Sequence, residues 1–301
     1  MLFNIKITPM KTILVPTDFS KGAEKAIYYA IEFAKKQKAE LILLHAYSVN
    51  YPVAETPLYV IDEIQEAAKA TAQRMLKEKG TIIDHAGDVK YELVTMVGDA
   101  SGQILKYCKD NKVDLIIMGT QGVNALANRL FGSTAAHVIR NAPCPVITIP
   151  ENCSFQPVKK ITYATNYDKQ DIRNLKQVVE FAAAFSAQVT VLHIADETTS
   201  DYKDKLVMKN FMDKVNEKIT YSNLAFQILS GPDTEEAINK YINDKSTDFL
   251  VLSTHHHTFL ERIFGKSLTK RLVIHLNIPV MAFHNPVASS VDYKTPMIHS
   301  W

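Results

Sequence analysis

Lys11-Thr12-Ile13-Leu14-Val15-Pro16-Thr17-Asp18-Phe19 returns later in the chain as Lys159-Lys160-Ile161-Thr162-Tyr163-Ala164-Thr165-Asn166-Tyr167. Asp18 and Asn166 stand 148 residues apart, and Leu43-Leu44-His45 and Val191-Leu192-His193 keep the same offset. Asp114-Leu115-Ile116-Ile117-Met118 then matches Asp248-Phe249-Leu250-Val251-Leu252 at an offset of 134. Asn141-Ala142-Pro143-Cys144-Pro145-Val146 resembles His275-Leu276-Asn277-Ile278-Pro279-Val280. A repeat of this period means two similar structural units. The second is about fourteen residues shorter (148 − 134), and the loss falls in mid-domain. A chain of 301 residues suits two domains. The expected boundary lies between Pro150 and Pro157, a stretch of little periodicity, so the domains are read as 1–150 and 151–301.

Each copy alternates short apolar runs with helical patterns. In the first copy, runs near 11–16, 40–46, 90–96, 114–119 and 145–149 are β-branched and almost continuously apolar, as strands covered on both faces are. Ser20 is placed to cap a helix. Ala23, Ala26, Ile27, Ala30, Ile31 and Ala34 follow at spacings of three and four, an amphipathic stripe. Ile172, Leu175, Val178, Val179, Ala182 and Phe185 repeat it. The fold class expected is α/β: two tandem doubly wound domains, each a five-stranded parallel sheet flanked by helices.

Composition narrows the function. With 34 basic and 32 acidic side chains the net charge is +2, too even for a nucleic-acid or anionic-membrane binder. No apolar run approaches the ~20 residues of a membrane span. Cys108, Cys144 and Cys153 form no CxxC pair, which fits a reducing compartment. The first ten residues, MLFNIKITPM, read as a poor signal peptide; residues 1–9 are a candidate extension before Met10. A cytoplasmic protein is expected. The tail after about Asn285 lacks periodicity.

Ligands of open α/β sheets sit beyond the carboxyl ends of strands, where strand order reverses. Pro16-Thr17-Asp18-Phe19-Ser20 follows the first strand. Gly119-Thr120-Gln121-Gly122 follows the fourth, and nine residues later comes Gly132-Ser133-Thr134. Glycines there let backbone approach a ligand. Ser133 and Thr134 open a helix carrying Ala135, Val138 and Ile139, and a helix start offers amide donors to phosphate. Asp18 is read as a ligand contact or as a cap of the first helix. His45 and His193 hold equivalent strand ends and read as core histidines.

Gly119-x2-Gly122-x9-Gly132-Ser133, with the opening Ile13-Leu14-Val15-Pro16-Thr17-Asp18-Phe19-Ser20, resembles the ATP-binding pattern of the universal stress protein family. The resemblance covers residues 11–149 well and 159–284 more loosely. It implies that Pro16, Thr17 and Asp18 lie against adenosine and that Ala46 lines an adenine pocket. It implies that Met118, Gly119, Gln121 and Gly122 follow ribose and phosphates. Gly132, Ser133 and Thr134 would hold the phosphates, bridged by Mg²⁺ or Mn²⁺. It also implies association through the last strands, Val146-Ile147-Thr148-Ile149 and Val280-Met281-Ala282-Phe283. The partners expected are an adenine nucleotide and the chain's own second half, with a homodimer of whole chains left open.

The second copy departs from this pattern. Asn166 replaces Asp18, and Ser253 and His256 replace Gly119 and Gly122. Lys266 stands where Ser133 would. Poor ATP binding is expected there. Gly265-Lys266-Ser267 resembles the end of a phosphate-binding loop, but Leu260 holds the place of its first glycine. His255-His256-His257 reads as an ordinary loop, since adjacent histidines converge badly on one ion. No nucleophile–base pair is apparent. The leading reading is therefore an ATP-binding regulatory protein, with no catalytic residues assigned. The alternatives are a slow ATPase or nucleotidyl-transferring enzyme using Asp18 and a divalent ion, and a nucleotide-free scaffold.

Overall fold

The apolar runs of the first half form β1 (Thr12–Pro16), β2 (Glu40–Tyr47), β3 (Tyr91–Val97), β4 (Leu115–Gly119) and β5 (Val146–Ile149). They are linked by α1 (Lys21–Gln37), α2 (Leu58–Ala86), α3 (Ala100–Asn111) and α4 (Ser133–Asn141). The second half contributes β6 (Lys160–Ala164), α5 (Lys169–Phe185), β7 (Gln188–Ala195), α6 (Asp201–Lys218) and β8 (Leu224–Ser230). It continues with α7 (Thr234–Lys245), β9 (Phe249–Ser253) and β10 (Val280–Phe283). The computed structural model describes residues 10–49, 58–120, 122, 132–165, 167, 169–195, 201–230, 234–253 and 277–284. Gln121, Asn166, His255–His257, Gly265–Ser267 and the tail from Asn285 lie outside them.

The strands form one sheet in the order β3-β2-β1-β4-β5-β10-β9-β6-β7-β8. Within each half all neighbours are parallel. Both halves share one order, and in each the chain adds strands first to one side of its first strand and then to the other. At the junction β10 runs antiparallel to β5, with Met281 opposite Ile147. The buried Thr148 hydroxyl donates to Val280 O at 3.2 Å across that junction.

Alternation along the strands sorts two apolar layers. Ile13, Val15, Leu41, Leu43, Leu115 and Ile117 face α1 and α2. Leu14, Ile42, Leu44, Ile116 and Met118 face α3 and α4. Both layers run on into the second half. Phe33 of α1 stacks on Phe181 of α5, centroids 5.2 Å apart, and Phe181 meets Phe249 of β9 at 5.3 Å. The connecting segment packs as well: Phe155 sets its ring edge on Tyr29 at 4.9 Å, and Cys153 and Val158 are buried. The three cysteines are free thiols.

The duplication extends to backbone detail. Asp114 accepts from the amides of Lys11 and Thr12 (2.7 and 3.0 Å), as Asp248 does from Lys159 and Lys160 (2.9 and 2.8 Å). Each carboxylate ties the end of one connection to the start of the half's first strand. Left-handed residues recur in pairs: Phe19 and Tyr167 (φ 66° and 65°), Lys38 and Ser186 (55° and 54°), Lys112 and Ser246 (48° and 52°). Most of the shortening of the second half falls in one element, because α2 has 29 residues and α6 has 18.

A buried acid in the second half has no counterpart in the first. Asp171 lies 148 positions after Ala23, and Tyr163 lies 148 after Val15. The fully buried Asp171 carboxylate accepts from Tyr163 Oη at 2.8 Å and from Thr165 Oγ1 at 2.6 Å. Two hydroxyl donors offset the cost of taking that group out of water. Asp171→Ala removes the acceptor of both and is expected to lower stability by about 2–4 kcal/mol. Adding Tyr163→Phe should recover part of the loss. Urea unfolding of the full chain tests this; a double variant less stable than Asp171→Ala would refute the pairing.

Candidate functional site

The site begins where β1 ends. Thr17 extends the parallel ladder by one bond, its amide donating to Leu44 O at 2.8 Å. The chain then turns sharply. Phe19 N donates to Thr17 Oγ1 and Ser20 N to Asp18 Oδ1, each at 3.1 Å, while Phe19 sits in the left-handed region. Ser20 caps α1, accepting from Ala23 N at 3.2 Å. The cap of the first helix is therefore Ser20, and Asp18 braces the turn before it. His45 is bonded from Nδ1 to Thr17 O at 2.8 Å. His193 repeats the bond to Thr165 O at 2.9 Å, so each half-buried histidine has one ring nitrogen bonded to the backbone of the turn.

The loop after β4 meets that turn. A Cβ on Gly119 would lie 2.8 Å from Gly22 C and 3.0 Å from Ala23 N. The glycine is thus demanded by helix packing: the backbone that comes close to Gly119 is the start of α1. The sequence reading gave ligand approach as the reason for this glycine; the packing of α1 is a second reason. A Cβ on Gly122 would run into Asp18 Oδ2. Thr120 is buried, its amide bonded to Ile149 O (3.1 Å) and its carbonyl accepting from Gly132 N (2.7 Å).

These loops enclose a cleft of about 180 Å³ at the carboxyl ends of β1 and β4. Pro16, Thr17, Asp18, Ala46, Met118, Gly119, Gly122, Gly132, Ser133 and Thr134 all line it; Gln121 lies outside the described residues. Sequence reasoning missed Ala23, Leu44, Thr120, Ala135, Ala100 and Ile104, which complete the lining. Gly98-Asp99 after β3 was the available signal for the last two, since it marks a third strand end feeding a third helix start.

The three helices that open onto the cleft differ at their first turns. Ser20 fills the α1 start. Asp99 caps α3, accepting from Gly102 N at 2.9 Å. The Ser101 hydroxyl and that amide hold the Asp99 carboxyl below the usual carboxylate range. The cap of α4 is Gly132, which has no side chain to give. Among the described residues, α4 is therefore the one of the three whose first turn receives no side-chain cap.

In the second half the counterpart of Gly119 is Ser253. It is buried, and its hydroxyl accepts from Asn174 Nδ2 at 3.4 Å. Ser253 thus carries a side chain where Gly119 has none, and that side chain meets Asn174, the counterpart of Ala26 on the first helix. Among the described residues no cluster of three metal-ligating side chains occurs, and no helix is long and apolar enough to cross a membrane.

The sequence model of the Universal stress protein family matches residues 9–150 and again 157–284. The chain belongs to that family, in a tandem form. A universal stress protein of Synechocystis sp. is 26% identical over 296 residues, 91% of this chain and 100% of its own. One of Methanocaldococcus jannaschii is 33% identical over 139 residues, 46% of this chain and 81% of its own. The solved structure of a universal stress protein from Archaeoglobus fulgidus shares the fold, with a TM-score of 0.65 at 20% identity over 92% of this chain and 97% of that one.

Gly119→Ala tests the packing role of the glycine. The clash is with backbone, which has no flexible end to swing away. A loss of about 1–3 kcal/mol is expected in denaturant unfolding. Unchanged stability would show that the strand end and the helix start are free to separate.

Proposed function

We propose that the first half holds an adenine nucleotide, ATP, in this cleft, and that the chain is a stress-response regulator that binds nucleotide without turning it over efficiently. The observation that carries the reading is the contrast between helix starts. Ser20 and Asp99 occupy the first turns of α1 and α3, whereas Gly132 leaves the first turn of α4 to an anion, with the Ser133 and Thr134 hydroxyls beside it. Phosphate oxygens suit that position. Leu44, Ala46 and Ile104 give the cleft an apolar wall fit for a base. Pro16, Thr17 and Asp18 would face adenosine, and Met118, Gly119, Gln121 and Gly122 the ribose and phosphates.

Mg²⁺ or Mn²⁺ would enter with the nucleotide, held by phosphate oxygens and water with few protein ligands. Among the described lining residues Asp18 is the one ionisable side chain, and it already accepts from Ser20 N. Such a lining favours holding over hydrolysis. The Ser253–Asn174 contact supports a second half that takes up little nucleotide. We read the β5–β10 ladder as a dimer of halves within one chain, and the free thiols accord with a reducing cytoplasm.

Calorimetry with Mg-ATP on the intact chain and on Gly122→Val tests the proposal. Saturable binding at about one site per chain is expected, and the variant should lose it because its side chain displaces the Asp18 carboxylate. No binding to the folded intact chain would refute the nucleotide reading. Two equivalent sites would refute the silent second half.

A further inference from the structure

We infer that His45 is a positioning residue for the nucleotide, acting from behind the cleft by fixing the turn that aims Asp18. The inference rests on the nucleotide reading of the cleft. A carbonyl oxygen only accepts, so the 2.8 Å contact with Thr17 O means that His45 Nδ1 carries the hydrogen and donates it. The Thr17 amide meanwhile donates to Leu44 O. Adjacent residues of β2 thus hold the amide and the carbonyl of Thr17, and the peptide leading into Asp18 cannot rotate.

The ring acts on the other side of Asp18 as well. Its centroid lies 4.2 Å from that of Phe19, the planes tilted by 40°. Phe19 has φ 66°, a conformation that a residue with a Cβ seldom adopts. Contact with the imidazole favours this one placement of the Phe19 ring. Asp18 therefore sits between two residues that His45 holds, with Oδ1 on Ser20 N and Oδ2 against Gly122. Release of the turn would shift the carboxylate and, with it, the meeting of the two loops that wall the cleft.

The duplication supplies an internal control. His193 makes the same bond to Thr165 O at 2.9 Å, and its ring lies 4.6 Å from that of Tyr167, which has φ 65°. The device is the same, but the turn it holds carries Asn166. A purely structural role predicts equal losses of stability for the two histidines and an affinity that follows stability whatever side chain replaces His45. A positioning role predicts that only His45 matters to the ligand.

Mg-ATP affinity and thermal unfolding would be measured on full-length wild type, His45→Ala, His45→Asn and His193→Ala. Asparagine keeps an N–H near the place of Nδ1. We expect His45→Ala to weaken binding by roughly tenfold or more and His45→Asn to recover most of it, with His193→Ala as unstable as His45→Ala but unchanged in affinity. Wild-type affinity in His45→Ala, or an equal weakening in His193→Ala, would overturn the positioning role while leaving the nucleotide reading intact. Absence of saturable binding in wild type would overturn both. If His45→Ala fails to fold, His45→Asn against His45→Leu decides, since the two are similar in size and differ in the donor; equal affinities would overturn the inference.

Discussion

Between the end of β4 and the start of α1 there is no room for a single carbon atom beyond the backbone. Gly119 lies so close to Gly22 that the two elements meet as bare main chain. That approach sets where α1 begins, and hence where Ser20 must cap it and where the turn through Asp18 must lie. It also sets the width of the cleft, because Ala23 and Gly119 are both part of its wall. The second half has a serine at the equivalent strand end. Ser253 and Asn174 meet there through side chains, and Asp171 turns back into the core toward Tyr163 and Thr165. The two halves thus share a frame and differ in what is wedged between strand and helix.

Much of this was legible in the chain itself. The strands announce themselves because both faces of the sheet are covered, so runs such as Ile13-Leu14-Val15 and Leu115-Ile116-Ile117 are apolar without interruption. The first helix was legible from its stripe and from Ser20. The lining of the cleft was legible because it follows strand ends, and strand ends are local. What stayed hidden depends on contacts distant in sequence. The reason for Gly119 lies about a hundred residues earlier, in Gly22. Ala100 and Ile104 reach the cleft only because β3 lies at the outside of β2 and sends α3 back over it. Asp171 reads as an ordinary acid in a helix's first turn, and only the packed structure shows it fully buried beneath two hydroxyls.

The pairs of left-handed residues show what a duplication preserves. Lys38 and Ser186 share no chemistry, nor do Lys112 and Ser246, yet each pair closes a helix at nearly the same φ. Side chains have changed while the path of the backbone has not. A left-handed residue at a helix end helps satisfy its last carbonyls, and many residues accept the modest cost when the following strand is already anchored. After Lys112 and Ser246, Asp114 and Asp248 supply that anchorage by holding the amides at the start of β1 and β6.

The ladder between β5 and β10 has one more consequence. Its two strands belong to one polypeptide, so their meeting is a first-order event governed by the tether through residues 150–159. Partners so joined experience each other at an effective concentration that the solution around them does not alter. An assembly of separate chains falls apart when expression falls and its subunits thin out. This one keeps its ten-stranded sheet at one copy per cell as at a thousand.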